Sequence, residues 1–337
     1  MENKKYDVIT FGRSSIDLYS QNIGASFNHI KGFDAFVGGS PLNIAVACSR
    51  LGVNASLLTA VGNDKVGEFI INFLKNEGVN THCIPVKNSS RTSAVLLGIE
   101  PPDKFPLVYY RDNAADSQVT IDDVINANIQ DYKILLINGT ALNIEPTRSA
   151  TFYAAEVAGK NNVQVVFDLD FRADQWHDYR AFGLTARAIL PKVHIAMGTE
   201  EEILAATLSS ASQVSIKDQQ ISAPEITGDI EASIEQILSL GIEILLVKRG
   251  EDGVSIYKSD GSRIDVPGFP VKVLNVLGAG DAFAGGFLYG LLQGWDLYKA
   301  CRMGNASGAQ VVTKKGCANF MPSLKESIDF IQKNGGF

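Results

Sequence analysis

Asn275-Val-Leu-Gly278-Ala279-Gly280-Asp281, running directly into Ala282-Phe-Ala-Gly-Gly-Phe-Leu-Tyr-Gly-Leu-Leu292, carries the plan of the chain. Gly278 and Gly280 leave backbone N–H groups open to an anion, and a helix starting near Asp281 aims its positive end at the same spot. A phosphate would be held there. Asp281 then lies in the first helical turn, where the dipole keeps its carboxylate ionised and ready to take the proton of a hydroxyl attacking that phosphate. Taken alone, the same residues also read as turn punctuation and an ordinary dipole partner. The helix argues for more, because it is apolar nearly all round, as a helix buried at the centre of an α/β domain is. Gly285, Gly286 and Gly290 would be costly in an exposed helix and predict close packing against a strand or a ligand.

Outward from this stretch, the chain alternates between β and α patterns. Tyr6–Phe11 is a short strand ended by Gly12, followed by Arg13-Ser-Ser-Ile-Asp17. A single glycine at that turn is not the G-x-G-x-x-G dinucleotide fingerprint, which demotes a dehydrogenase. Asp17 sits just past a strand end, where α/β proteins meet ligands and where turn-capping Asp is equally ordinary. Residues 18–37 read as irregular. In Gly38-Gly39-Ser40-Pro41-Leu42-Asn43, Ser40 is the expected N-cap, Pro41 the first position of a helix Leu42–Leu51, and Asn43 a first-turn residue. Ala55–Gly62 is the next strand, and Asp64 caps a helix that ends before Gly78. Thr92–Ile99 and Phe105–Tyr110 read as an antiparallel pair joined by Pro101-Pro102-Asp103. With part of 13–37, the segment 92–118 predicts a small sheet apart from the main body, suited to act as a lid.

From Lys133 onward the pattern is regular. Strands Lys133–Asn138, Val163–Leu169, Val193–Met197 and Ile242–Lys248 alternate with helical stretches near 146–160, 177–190, 200–208 and 228–240. That alternation predicts a doubly wound, mostly parallel sheet with helices on both faces. Gly253–Tyr257 and a stretch near 264–273 add short strands, and helices follow near 296–313 and 323–333. Ser209–Ile226 reads as a surface insertion. Neither internal repeats nor a second core is found, so residues 1–337 read as a single domain.

Composition narrows the partners. The 337 residues, 45% hydrophobic, can bury a large core. A net charge of −7 with mixed signs argues against nucleic acid or an anionic membrane surface, while local nests and single arginines still suit small anions. The start, Met-Glu-Asn-Lys-Lys-Tyr-Asp, has no apolar signal core and no run suits a bilayer, so a cytoplasmic location is expected. Cys48, Cys83, Cys301 and Cys317 lack zinc or dithiol spacing and read as reduced structural thiols. The four histidines are isolated, which leaves little support for a histidine metal site or a Ser/His/Asp triad.

Together, the Gly38-Gly39…Asn43 element, the Asn275…Gly278-Ala-Gly-Asp281 element and the antiparallel insertion between them resemble the ribokinase-like family of sugar kinases, also called the PfkB family. The resemblance spans nearly the whole chain. It implies a doubly wound α/β domain with a β-sheet lid, transferring the γ-phosphate of ATP to a sugar hydroxyl. On this resemblance Asp281 is the catalytic base and Gly278, Ala279 and Gly280 its anion hole. Asp17, Gly39 and Asn43 match sugar-binding positions, Lys248-Arg249-Gly250…Gly253 the nucleotide-contacting turn, and Asn305 a position near adenine. The family's Asn-x-x-Glu magnesium element reads Thr199-Glu-Glu-Glu202 here, so Glu202 matches and Thr199 does not. Without the resemblance, Glu200–Glu202 read as a solvated, dipole-favoured helix start. Asn275 stands where the family often has an Asp beside a monovalent cation, which weakens the case for potassium. Mg²⁺ is expected, since ATP phosphates need a divalent ion.

Substrate choice is read from Val108-Tyr-Tyr-Arg111-Asp112-Asn-Ala-Ala-Asp116. Arg111 offers a planar fork suited to a carboxylate, which points to an acid sugar; the plainer reading is a surface Arg–Asp pair. This segment, Gly139-Thr140-Ala141-Leu142 and Asp168-Leu-Asp170-Phe-Arg172…Trp176 look like the branch that phosphorylates 5-dehydro-2-deoxygluconate in myo-inositol breakdown. Arg13 and Arg172 thereby join the candidate substrate contacts. 2-Keto-3-deoxygluconate kinases share the Tyr-Arg element and are the alternative, followed by a neutral-sugar kinase and a non-catalytic sugar-acid sensor. An exposed face on the lid sheet would suit a lid-to-lid homodimer.

Overall fold

Residues 132–138 read Tyr-Lys-Ile-Leu-Leu-Ile-Asn, apolar at four consecutive positions, because both faces of this strand are covered. Ile134 and Leu136 pack into one core and Leu135 and Ile137 into the other. The computed structural model describes residues 4–100, 105–216 and 224–337; the Pro101-Pro102-Asp103 turn, the first three residues and part of the Ser209–Ile226 stretch lie outside the described residues. In the main sheet the order is Arg263–Val266, Val254–Lys258, Ile244–Lys248, Ile195–Thr199, Gln164–Asp168, Tyr132–Asn138, Tyr6–Phe11, Ala55–Leu58. The last six are parallel and the first two antiparallel. Helices Thr147–Lys160 and Tyr179–Ile189 cover one face; Ser40–Arg50, Ala279–Leu292 and Leu297–Val311 cover the other. This is the doubly wound arrangement, and its ligand crevice lies beyond the carboxyl ends of the strands.

The central helix spans Ala279–Leu292, starting two residues before Asp281, with Gly278 as N-cap. Phe283 and Phe287 are 5% and 0% exposed, and burying each contributes about 1.5–3 kcal/mol. Its glycines do pack closely, but against helices rather than a strand or ligand. A Cβ on Gly285 would strike Ala47, one on Gly286 would lie 2.7 Å from the Met303 carbonyl, and one on Gly290 2.6 Å from Ala300 Cα.

Four strands form a second sheet in the order Phe33–Gly38, Ser15–Ser20, Ser93–Leu97, Leu107–Tyr110. The middle pair is parallel and the outer pairs antiparallel. Part of 13–37 joins 92–118 in this sheet as expected, and residues 18–37, which read as irregular, contribute to two of its strands. Several other expectations change. Ala55–Gly62 is broken into Ala55–Leu58 and Val61–Gly62, and the latter pairs with Val86–Lys87 outside the main sheet. The strand expected over 264–273 covers only Arg263–Val266, since Pro267 and Pro270 cannot donate to a ladder. Ser40 is the first helical residue and Gly39 the cap; the Ser40 hydroxyl instead accepts from Asn138 Nδ2 at 3.1 Å. A further helix, Ile121–Ala127, is announced by the capping box of Thr120 and Asp123. Among the described residues, no helix is long and apolar enough to cross a membrane.

Candidate active site

Gly278 adopts φ +84°, and a Cβ there would lie 2.9 Å from Cys317 Sγ, so only glycine delivers the chain into the helix at this point. The N–H groups of that first turn have no helical acceptors; Ala279 makes only a long 3.4 Å bond to the Val276 carbonyl. The approach is shaped by Asn275, which is 1% exposed and accepts the Leu277 N–H at 3.0 Å through Oδ1.

Asp281 stands where two helix starts meet. Its Oδ2 accepts from Asn43 Nδ2 at 2.7 Å, and the Ser40 hydroxyl lies near enough to favour its ionised form, both from the first turn of the Ser40–Arg50 helix. Gly39, at φ +105°, allows this approach, because a Cβ there would collide with the Arg13 backbone. Burial pushes the Asp281 carboxyl up, against the bond from Asn43 and the nearby Ser40 hydroxyl, which favour its ionised form.

Two cavities flank the helix start. The larger, about 360 Å³, is lined by Ala279, Gly280 and Phe283 and, opposite, by Lys248, Gly250, Gly253 and Asn305. The smaller, about 60 Å³, is lined by Gly278 and Asp281, by Gly39 and Asn43, by Arg13, Arg172 and Cys317, and by Asp17, Tyr19 and Tyr109 from the second sheet. The carboxylate of Asp281 therefore borders one cavity while the first-turn backbone borders the other.

Beneath them lies a dense set of charges. Lys248 Nζ is 3.0 Å from Asp168 Oδ1 and 3.8 Å from Glu202 Oε2. Burial works against the Lys248 charge, but Asp168 and Glu202 outweigh it and hold the ammonium protonated. Burial likewise pushes Asp168 up; Lys248 opposes this and Glu202 and Asp170 add to it. Arg172 is ion-paired with Asp170 and lies 3.8 Å from Glu202. Asp17 is pushed up by burial, against Arg13 and the Ser15 hydroxyl that donates to it. Five carboxylates, Asp17, Asp168, Asp170, Glu202 and Asp281, thus face three cations, Arg13, Arg172 and Lys248. An acidic surplus of this kind suits a divalent ion brought in by a ligand. Among the described residues, however, no group of three or more His, Cys, Asp or Glu is placed to hold a metal.

Other candidates fall in different places. Glu202 is 8% exposed rather than solvated, and its Oε2 accepts the Thr199 N–H at 2.9 Å in a capping box. Asn305 reaches the larger cavity, yet its amide donates to the carbonyls of Val266 and Pro267, bracing the wall. Arg111 lines neither of these cavities. Its Nε donates to Asp116 Oδ2 at 2.7 Å, and Nη1 donates to the Thr140 carbonyl at 3.1 Å and Gln175 Oε1 at 2.7 Å. The fork expected to meet a ligand carboxylate is largely taken up inside the protein, with Nη2 alone left without a partner among the described residues, in a pair that is buried rather than on the surface, with side chains 7% and 0% exposed.

Tyr19, Tyr109 and Cys317 went unread as cavity residues. Strand alternation carried a signal for Tyr109, which faces inward while Tyr110 is 60% exposed. Asp168 and Asp170 were signalled by their place at the carboxyl end of a strand.

The pfkB family carbohydrate kinase model matches residues 5–324. Over 333 residues, 98% of this chain and 94% of that protein, the sequence is 34% identical to the 5-dehydro-2-deoxygluconokinase of Clostridium tetani (strain Massachusetts / E88). A double mutant of fructokinase from Vibrio cholerae O395, with fructose, ADP and potassium ion bound, superposes with a TM-score of 0.83 at 25% identity, covering 98% of this chain and 99% of that one. Fructokinase from Xylella fastidiosa with bound ATP gives 0.81 at 26% identity, covering 97% and 98%.

Proposed function

The chain belongs to the pfkB family of carbohydrate kinases, and from that premise we propose that it uses ATP to phosphorylate 5-dehydro-2-deoxy-D-gluconate to its 6-phosphate, in myo-inositol catabolism. It is an ATP-dependent carbohydrate kinase. The observation that carries the reading is the helix start between two cavities, with the Asp281 carboxylate on the side of the smaller and the first-turn backbone on the side of the larger.

The sugar occupies the smaller cavity, held by Asp17, Gly39 and Asn43. Its terminal hydroxyl loses a proton to Asp281 as the oxygen attacks the γ-phosphorus; the bond from that phosphorus to the β-bridging oxygen breaks and ADP leaves. Gly278, Ala279 and Gly280 present backbone N–H groups to the transferring phosphoryl, and Lys248, next to Gly280, adds positive charge at the same point. Lys248, Gly250, Gly253 and Asn305 form the nucleotide side. Mg²⁺ bound with ATP supplies neutralisation of phosphate charge. Asp168 and Glu202 are the carboxylates that would face the ion, consistent with the acidic surplus around Lys248.

The neutral Asn275, with Oδ1 engaged by Leu277, supports turnover without potassium. A strong rate increase on adding potassium to a potassium-free assay would remove this point. Val108 and Tyr110, 38% and 60% exposed on the lid strand, support a homodimer through the lid, and sedimentation as a monomer at micromolar concentration would exclude it.

The test of the function is ADP release with Mg-ATP against 5-dehydro-2-deoxygluconate, 2-keto-3-deoxygluconate, fructose and ribose. The reading requires the first to win in kcat/KM. A win for the second keeps the sugar acid and discards the pathway, a neutral sugar discards both, and absence of ADP formation leaves a sensor.

A further inference from the structure

We propose that Arg13 reads the carboxylate of the substrate, so that selectivity for an acid over a neutral sugar resides at the first turn of the main sheet and not at Arg111. This rests on the sugar-acid reading above and deepens it.

Three arginines were available for the role, and their surroundings differ. Arg111 is paired with Asp116 and bonded to Thr140 and Gln175. Arg172 borders the smaller cavity but is paired with Asp170. Arg13 also borders that cavity and is 6% exposed, yet among the described residues no carboxylate lies within ion-pairing distance of it. Its hydrogen bonding is sparse. Nη1 makes a long 3.4 Å bond to Ser15 Oγ, and the buried Nε has no partner.

Asp17, Asp170 and Asp116 hold the Arg13 charge from a distance, but a buried guanidinium with no direct ion pair leaves donors unmatched, and a ligand carboxylate would complete them. The setting favours a planar anion. The Arg13 guanidinium carbon lies 5.0 Å from the centre of the Tyr109 ring, which covers a face and leaves the N–H edges to a bidentate partner. Ser15 keeps Arg13 from closing on the nearest acid, because its hydroxyl donates to Asp17 Oδ1 at 2.7 Å while accepting from Arg13. Asp17 thus remains an acceptor for sugar hydroxyls in the same cavity, and Arg13 remains a donor for the carboxylate.

The experiment compares kcat/KM for 5-dehydro-2-deoxygluconate with that for its analogue carrying a primary alcohol in place of the carboxylate. The wild type should prefer the acid. Arg13→Gln should raise KM for the acid roughly 10- to 100-fold, as loss of a charged hydrogen-bonded pair does, with a smaller effect on kcat, and should shrink the acid-to-alcohol ratio by the same factor. Arg111→Lys should keep that ratio. Calorimetric ATP binding reports whether Arg13→Gln is folded; if it is not, Arg13→Lys, which keeps the charge and loses the fork, should still shrink the ratio. An undiminished ratio in a folded Arg13 variant, or a ratio lost in the Arg111 variant, overturns the proposal. A wild type that prefers the alcohol overturns the sugar-acid reading itself, before any variant is made.

Discussion

Replacing Lys248 by Met removes the ammonium that lies 3.0 Å from Asp168 and 3.8 Å from Glu202. The three side chains are 13%, 3% and 11% exposed, so solvent screens these contacts weakly. With an effective dielectric of about 20, the Coulomb attractions are about 5.5 and about 4.4 kcal/mol, offset in large part by the cost of burying the charges. Removing one partner of such a buried pair leaves an uncompensated charge and costs about 3–5 kcal/mol. Asp168 limits the loss, because burial and the neighbouring Glu202 and Asp170 already push its carboxyl up, and without Lys248 it takes a proton more readily. A carboxyl raised in the folded state stabilises when protonated, and that stabilisation is lost as pH rises through its folded pKa. The deficit of Lys248→Met should therefore be about 3 kcal/mol at mildly alkaline pH and smaller at mildly acidic pH. Urea unfolding at both pH values, repeated with Asp168→Asn and the double variant, measures it, and the coupling energy should exceed about 1 kcal/mol. A pH-independent deficit, or coupling below about 0.5 kcal/mol, would refute the claim that this triad is electrostatically joined.

Burial raises Asp281 as well, so the acidic limb of kcat/KM, where the base becomes protonated, should lie above the ordinary carboxylate value of about 4; a limb at or below it would contradict the buried setting. For the same reason stability should fall as pH rises through the Asp281 pKa. Asp281→Asn should flatten that dependence and melt no lower than wild type at mildly alkaline pH, where a lower melting point would show that the ionised carboxylate stabilises the fold. Gly286→Ala should cost about 1–3 kcal/mol, because the added Cβ meets the Met303 carbonyl and Gly304 Cα; thermal unfolding within about 0.5 kcal/mol of wild type would mean the two helices separate freely.

How much was legible in the sequence depended on the range of the interaction. Gly278-Ala-Gly-Asp281 was readable because its geometry is local: a left-handed glycine, a helix start and an acid in the first turn. The alternating apolar strands were readable because both of their faces meet helices. Part of 13–37 was assigned to the small sheet, but the bounds of the Ser15–Ser20 strand were not legible, since Ser15, Asp17 and Tyr19 turn polar groups inward and reverse the alternation that marks a half-buried strand. The internal partners of Arg111 were not legible, for a tertiary reason. Nothing near it in the chain says that Gln175, 64 residues later, takes up part of its fork. The converse holds for Arg13, where the informative feature is an absent partner, which only the assembled cavity reveals. Asn43 and Asp281 meet across 238 residues, and no periodicity announces that contact.

The most direct test of the account is single-turnover phosphoryl transfer by Asp281→Asn with saturating Mg-ATP and 5-dehydro-2-deoxygluconate. If Asp281 takes the hydroxyl proton, transfer slows by about 10²–10⁴-fold while both ligands still bind. A transfer rate near that of the wild type would contradict the account, and the base would have to be sought elsewhere in the smaller cavity.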